Sequence, residues 1–415
     1  MKLLTITTLY PNATDPKHGV FVENRLRHLR QHYPDVECTV IAPVPWFPFR
    51  HGVFGQYSQY ASVPRVEQRY GITVYHPRYV VVPKVGMQLT PHTLTRCLKK
   101  QISTLLQQGL EFDLIDGHYF FPDGVAIANV AEQINKPFTV TARGTDINLI
   151  PQFPGPLRQI KHVLQRSSHN LAVCEALRQT MIMHGAEPAK TSTARNGVDL
   201  NVFRFANQEK QHALREKLGL PCEGPIFISV GLLIKRKGHH LVIEAMQSHP
   251  TARLLIAGTG PEHNNLKQLA NKLRLSNRVT FLGALSQPEL ADYFGACDLS
   301  VLASDREGWA NVLLESMSCG TPVVATNIWG TPEVVQTPNA GLLVERNRKD
   351  IARGITELLA NLPSRQSTRF YAEQFSWDET SHLLYQLFTR LTSPCPATSK
   401  PTQGATVHED KETQL

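Results

Sequence analysis

The chain lacks the features of a secreted or membrane-spanning protein. No stretch approaches the roughly 18 uninterrupted apolar residues of a membrane-crossing helix. The opening MKLLTITTLYP is too short an apolar run for a secretory signal and reads as a first strand. Its 7 cysteines are odd in number, scattered, and never spaced as CxxC, which points to a reducing compartment without a disulfide framework. Neither half carries G-x-G-x-x-G with an acid about 20 residues later, which disfavours a dinucleotide-dependent oxidoreductase. No basic run is interleaved with aromatics, so nucleic acid is the weakest of the candidate partners. A cytoplasmic globular protein is the expectation.

What is present fits that expectation. A hydrophobic content of 41% is ordinary for a globular chain, and 415 residues imply two domains. The formal net charge of +8 is uneven. Residues 1–200 hold 21 Lys and Arg against 14 Asp and Glu, a net of +7, whereas residues 201–415 hold 22 against 21, a net of +1. A basic first half attracts anionic lipid head groups or phosphorylated substrates. Plain solubility explains it equally well.

The pattern along the chain is an alternation of strands and helices. LLTITTL, VECTVIAP, GITVYHP, FDLIDGH, KPFTVTARGTD and HNLAVC read as strands of the first half. A helix begins near Val20, with Val20, Phe21, Leu26 and Leu29 inward and Arg25, Arg27 and Arg30 on a basic flank. Residues 44–70, rich in proline and aromatics, read as a functional or docking loop. PIFISVG, ARLLIAG, RVTFLG, CDLSVLA, PVVAT and AGLLV are six strands of the second half, with helical runs between them. Ser286-Gln-Pro-Glu289 fits a capping box. Repeated alternation of this kind predicts parallel sheets covered on both faces. The fold class is α/β, with Rossmann-like domains over 1–200 and 201–375 facing each other across a cleft. Residues 392–415 read as a disordered tail.

Three loops follow strands of the second half. VGLLIKRKG puts Lys235, Arg236 and Lys237 just before a helix, where cations suit a diphosphate or form a solvated basic turn. AGTGP, with Gly258 and Gly260, is a GxG turn that serves a ligand or plain chain reversal. In ASDREGWANVLLESMSCGTPVVAT, Glu307 lies in a loop and Glu315 about one turn inside a helix that begins near Asn311. Two acids there serve the helix dipole or accept hydrogen bonds from sugar hydroxyls. Their meeting at successive strand ends of one sheet favours a ligand site.

These residues carry a resemblance. EGWANVLLESMSCGTPVVAT is similar to the E-x7-E signature of the GT-B nucleotide-sugar glycosyltransferases of family 4. YPNATDPKHGVFVENRLRHL, LIDGHYFFPDG, TARGTDIN, NGVDLNVF, VGLLIKRKG and IAGTGP resemble further family blocks in the expected order, over nearly the whole chain. FSWDET resembles the start of a last helix, about 376–391, that crosses back to the first domain.

The resemblance implies that Glu315 holds the donor ribose. Glu307, with the backbone from Gly308 to Asn311, engages the donor sugar. Lys237 pairs with the diphosphate, which Gly19 lets the backbone approach. His118 sits beside the anomeric centre, although a structural histidine flanked by Asp116 and Asp123 is the other reading.

Two departures stand out. Leu232 occupies a position where the family commonly has Arg, leaving Arg236 or Lys235 to substitute. Arg143 stands where many relatives have His; with Asp146 it is a candidate contact for donor phosphate or an anionic acceptor. The implied activity moves a sugar from a UDP- or GDP-sugar to a glycan or lipid-linked acceptor, with peripheral membrane contact through the basic first domain. No D-x-D occurs, and the family implies retention of configuration with neither metal nor cofactor. A sugar-nucleotide epimerase or hydrolase, or a non-catalytic relative, would use the same donor site.

Overall fold

The computed structural model describes residues 1–49, 51, 56–81 and 86–393. Most of the expected tail and part of the 44–70 loop therefore lie outside the described residues. The first sheet contains β1 (Lys2–Ile6), β2 (Glu37–Ile41), β4 (Val66–Arg69), β5 (Ile72–Tyr75), β7 (Leu114–His118), β8 (Phe138–Ala142), β9 (His169–Ala172) and β10 (Thr191–Thr193). A separate two-stranded piece pairs β3 (Val44–Pro45) with β6 (Arg78–Tyr79). The second sheet contains β11 (Ile226–Val230), β12 (Arg253–Ala257), β13 (Val279–Gly283), β14 (Leu299–Leu302), β15 (Val323–Thr326) and β16 (Gly341–Val344).

The second sheet runs β13-β12-β11-β14-β15-β16, every pair parallel. Its strands are the six apolar runs of the sequence. Every residue of β14 and β15 is buried, because helices cover both faces of a parallel sheet. The strand order reverses between β11 and β14. Loops leaving the C-terminal ends of neighbours at such a point diverge to opposite faces and open a crevice.

The first sheet runs β10-β9-β8-β7-β1-β2-β5-β4 and reverses between β1 and β7. Only β4, turning back to β5 through Tyr70 and Gly71, is antiparallel. That strand, β3 and a short helix at Gln56–Ser62 occupy part of what the sequence presents as one irregular loop over 44–70.

The helix Val20–His32 buries Val22, Leu26 and Leu29, but it also buries Arg25, which the helical period assigns to the basic flank. The last helix, Trp377–Thr392, leaves the second domain and packs Leu384, Leu387 and Phe388 against Leu3, Leu29 and Leu114 of the first. Trp377 stacks on His28 with ring centroids 5.7 Å apart. Leu384→Ala removes a fully buried side chain from this tether. It is expected to cost about 3 kcal/mol, read as a lower urea midpoint.

Candidate active site

The basic loop after β11 and the acidic loop after β14 meet at the reversal point of the second sheet. They come this close because Gly238, with φ of 69°, turns the chain directly over the Ala303 carbonyl, where a Cβ would overlap. The Lys237 ammonium then reaches Glu307 Oε1 at 2.5 Å. Ser304 Oγ donates to the same oxygen at 2.6 Å. Arg236 approaches Glu307 Oε2 at 3.9 Å and donates to the Arg306 carbonyl at 2.7 Å.

Of the two candidates for the cation missing at Leu232, Arg236 therefore joins the cluster. Lys235 is exposed and makes no side-chain hydrogen bond or ion pair among the described residues. Gly258 and Gly260, expected at the donor, lie one layer back. A Cβ at either would overlap the carbonyl of Gly231 or Leu233, so these glycines let the turn after β12 nest beneath the basic loop.

The helix Asn311–Ser318 starts at Asn311, with no side chain capping its N-terminus. Asn311 and Glu315 are one turn apart and share a face. Glu315 has no hydrogen bond or ion pair among the described residues, and desolvation pushes its carboxyl up to about 7. A desolvated acid without a partner reduces stability, which is the usual condition of a group reserved for a ligand.

Across the cleft, the Arg143–Gly144 turn after β8 touches Gly308, whose missing Cβ would collide with the Arg143 carbonyl. Arg143 Nη1 donates to Asn196 Oδ1 at 2.9 Å, and Asn196 Nδ2 donates to Asn311 Oδ1 at 3.1 Å. Arg143 Nη2 donates to His118 Nδ1 at 2.7 Å. A guanidinium only donates, so Nδ1 accepts and His118 carries its proton on Nε2, which faces Asp116 Oδ2 at 3.3 Å. Burial pushes the imidazole down to about 3 despite the Asp116 carboxylate, so it is neutral.

His118 is thus fully buried and capped by Arg143, with Asp116 as its other neighbour. Asp146 is likewise engaged within the fold. Its carboxylate is buried and accepts the backbone N–H groups of Phe120, Arg143 and Gly144 at 2.8–3.3 Å. Gly19 is required by the Leu9–Tyr10 backbone lying where its Cβ would be.

Sequence reasoning missed Ser304 and Asn196. The first had a local signal, a hydroxyl three residues before the acid it binds; the second opens the NGVDLNVF block, to which no site role was given.

A pocket of about 220 Å³ opens at the C-terminal ends of β1, β2 and β5. Thr8, Asn12, Asp15, His18, His76 and Tyr79 are among its walls. Lys17, in the same loop, donates to the Leu285 carbonyl of the second domain.

Residues 19–202 match the model described as Glycosyltransferase Family 4, and residues 210–375 match Glycosyl transferases group 1. The protein named as teichuronic acid biosynthesis glycosyltransferase TuaC, from Bacillus subtilis, is 30% identical over 361 residues, 86% of this chain and 88% of that one. The chain belongs to the family 4 glycosyltransferases. A D-inositol 3-phosphate glycosyltransferase of Mycobacterium leprae is 35% identical over 53% of this chain and 54% of its own.

Solved structures share the fold at low identity. Sucrose-phosphate synthase from Thermosynechococcus elongatus gives a TM-score of 0.78 at 19% identity, covering 94% of this chain and 99% of that one. Anabaena HepE in complex with UDP and glucose gives 0.70 at 22%, covering 94% and 100%. Both are GT-B glycosyltransferase architectures of two Rossmann-like domains, as in this family 4 enzyme. No helix among the described residues is long and apolar enough to cross a membrane.

Two measurements probe the site. Arg143→Gln removes a cation that opposes protonation of His118 while leaving Asp116, which favours it. The ring is therefore expected to gain its proton at a higher pH by NMR, and transfer to slow by about tenfold as positioning is lost.

Glu315→Gln acts in the opposite sense on stability. The folded pKa is raised from an ordinary 4.5 to about 7, so the stability linked to Glu315 is complete below about 4.5 and lost as pH rises through 7. The Gln variant should melt at or above wild type at pH values above 7, with the gap closing toward 4.5, while its donor affinity falls.

Proposed function

We propose that the protein transfers a sugar from a UDP- or GDP-sugar to a glycan or lipid-linked acceptor, with retention of anomeric configuration and without a metal. The observation that carries this reading is the convergence of Lys237, Arg236 and Glu307 at the reversal point of the second sheet. An ammonium has three protons to donate; Glu307 takes one, leaving two for a diphosphate. Breaking the sugar–phosphate bond develops negative charge on the leaving diphosphate. Cations already fixed beside it stabilise that charge without reorganising. The same cations do the electrostatic work that a metal does elsewhere.

Glu315 then accepts the ribose hydroxyls, with sugar hydroxyls supplying the hydrogen bonds its desolvated carboxyl lacks. Glu307, held by Lys237 and Ser304, meets the donor sugar, and the Gly308–Asn311 backbone lines its path. The pocket at the ends of β1, β2 and β5 takes the acceptor, with polar walls suited to a hydroxylated ring. Its presence beside the cleft supports transfer over hydrolysis. The names of the TuaC and mycobacterial relatives support a glycan or polyol acceptor.

A panel of UDP- and GDP-sugars read by thermal shift should give one donor a clear rise in melting temperature. Release of free monosaccharide at a rate indifferent to every acceptor would sink the transferase reading. Activity that disappears with EDTA and returns with a divalent cation would sink metal independence. Lys237→Ala should weaken donor binding by about 2 kcal/mol, roughly thirtyfold, measured by calorimetric titration.

A further inference from the structure

The first domain carries an apolar patch that the donor and acceptor sites do not use. Trp46, Val80, Val81, Met87, Leu89 and Phe153 are 39–53% exposed. They come from four segments that the fold gathers. Trp46 N donates to the Tyr79 carbonyl at 2.7 Å at the end of the β3–β6 pair, which sets Trp46 beside Val80. Thr93 Oγ1 donates to the Val80 carbonyl at 2.7 Å, which brings in the first turns of helix Gly86–Gln107, with Met87 and Leu89. Gly155 lies against Gln88 of that helix, bringing the Phe153 loop alongside.

Charge around the patch is of one sign. Between Glu37 and Glu111 the sequence holds eight Lys and Arg and a single acid, Glu67. The helix Gly86–Gln107 contains no acid, and its Arg96, Lys99 and Lys100 are exposed. Arg96, Lys99 and Lys100 therefore bring cations, with no acid on their own helix, beside the patch residues Met87 and Leu89.

We propose that this flank docks on an anionic lipid bilayer. Trp46 and the aliphatic side chains enter the head-group boundary, where amphipathic rings settle, and the helix cations face the lipid phosphates. Charge complementarity selects this occupant. A second copy of the chain would bring an equally basic flank against this one and be repelled. Pro45 and Tyr79 line the acceptor pocket, and the patch begins at the next residue of each strand, so docking would bring the pocket mouth to the lipid surface.

The proposal deepens the lipid-linked-acceptor reading but is tested without an acceptor. A wrong acceptor would leave vesicle binding standing. The test uses the full chain in flotation with phosphatidylcholine vesicles, with and without phosphatidylglycerol. Binding is expected to be about tenfold or more tighter with phosphatidylglycerol and to weaken with salt. The emission of Trp46 should shift to the blue, a change lost in Trp46→Phe. The pair Val81→Asp and Leu89→Asp, and separately the triple Arg96→Gln, Lys99→Gln and Lys100→Gln, should each cut binding by about tenfold with an unchanged melting temperature. Binding indifferent to phosphatidylglycerol, or unaltered in both variants, would overturn the proposal. So would a dimer, seen by sedimentation, that dissociates in the aspartate variant while no vesicle is bound.

Discussion

The Lys237 ammonium on the Glu307 carboxylate fixes where charge can be presented in this molecule, and the surrounding chain is arranged to hold that pair. The two residues are 70 apart in sequence and stand on loops from neighbouring strands. Those loops fit together only because Gly238 has no side chain to place against the Ala303 carbonyl. As a stabilising device, a half-buried ion pair returns little, because desolvation offsets most of its Coulombic attraction. Its value lies in position: Ser304 pins the same carboxylate oxygen, so Glu307 is held from two sides and Lys237 keeps its remaining protons in one place. Removing either charge would leave the other desolvated, so the pair is coupled in stability as well as in its electrostatics.

The first domain solves a similar problem with buried acids. Asp123 accepts from the backbone and hydroxyl of Thr8, tying the loop after β1 to that after β7. Asp146 ties the loop after β7, through Phe120, to the turn after β8. Asp116 faces Arg25 at 3.6 Å and His118 at 3.3 Å beneath both. Burial pushes the Asp123 carboxyl up to about 7 even though Thr8 hydrogen bonds pull it down, a sign that this rigidity costs stability. Three loops that would otherwise move independently become one wall of the cleft. That wall carries Arg143, whose side chain reaches His118 below and Asn196 beside it.

What was legible in the residues follows from burial. Strands β14 and β15 are buried along their whole length and β11 and β12 over most of theirs, so they read as mainly apolar runs, while the edge strand β13 is mostly half-buried and keeps the apolar residues Val279, Phe281 and Leu282. The start at Asn311 and the Ser286 capping box were written in local chemistry and stand in the structure. The strand VEQR was not legible, since an exposed edge strand needs no apolar alternation. Nor was the burial of Arg25, whose hydrogen-bond partner Thr141 lies 116 residues away. The candidate site divides the same way. Lys237, Arg236 and Glu307 were readable because each stands at a strand end of one sheet. The burial of His118 and Asp146 was not readable, because their partners, Arg143 and three backbone amides, are fixed by tertiary packing and leave no spacing signal.

The two domains are joined by contacts of two different kinds, and the difference bears on how a donor enters. On one side the helix Trp377–Thr392 buries Leu384, Leu387 and Phe388 in the first domain, an apolar contact that water does not compete for. At the cleft, polar contacts such as Asn196 on Asn311 and Arg195 on Glu333 at 2.7 Å stand beside the close packing of Gly308 on the Arg143–Gly144 turn and of Gly330 on Cys174. Hydrogen bonds and exposed ion pairs exchange readily with water, so parting them costs far less than exposing the helix face. Parting these polar contacts would therefore be the less costly of the two separations. Lys237, Arg236, Glu307 and Glu315 all lie on the cleft side, where, in the transfer proposed above, closure would exclude water from the bond being broken.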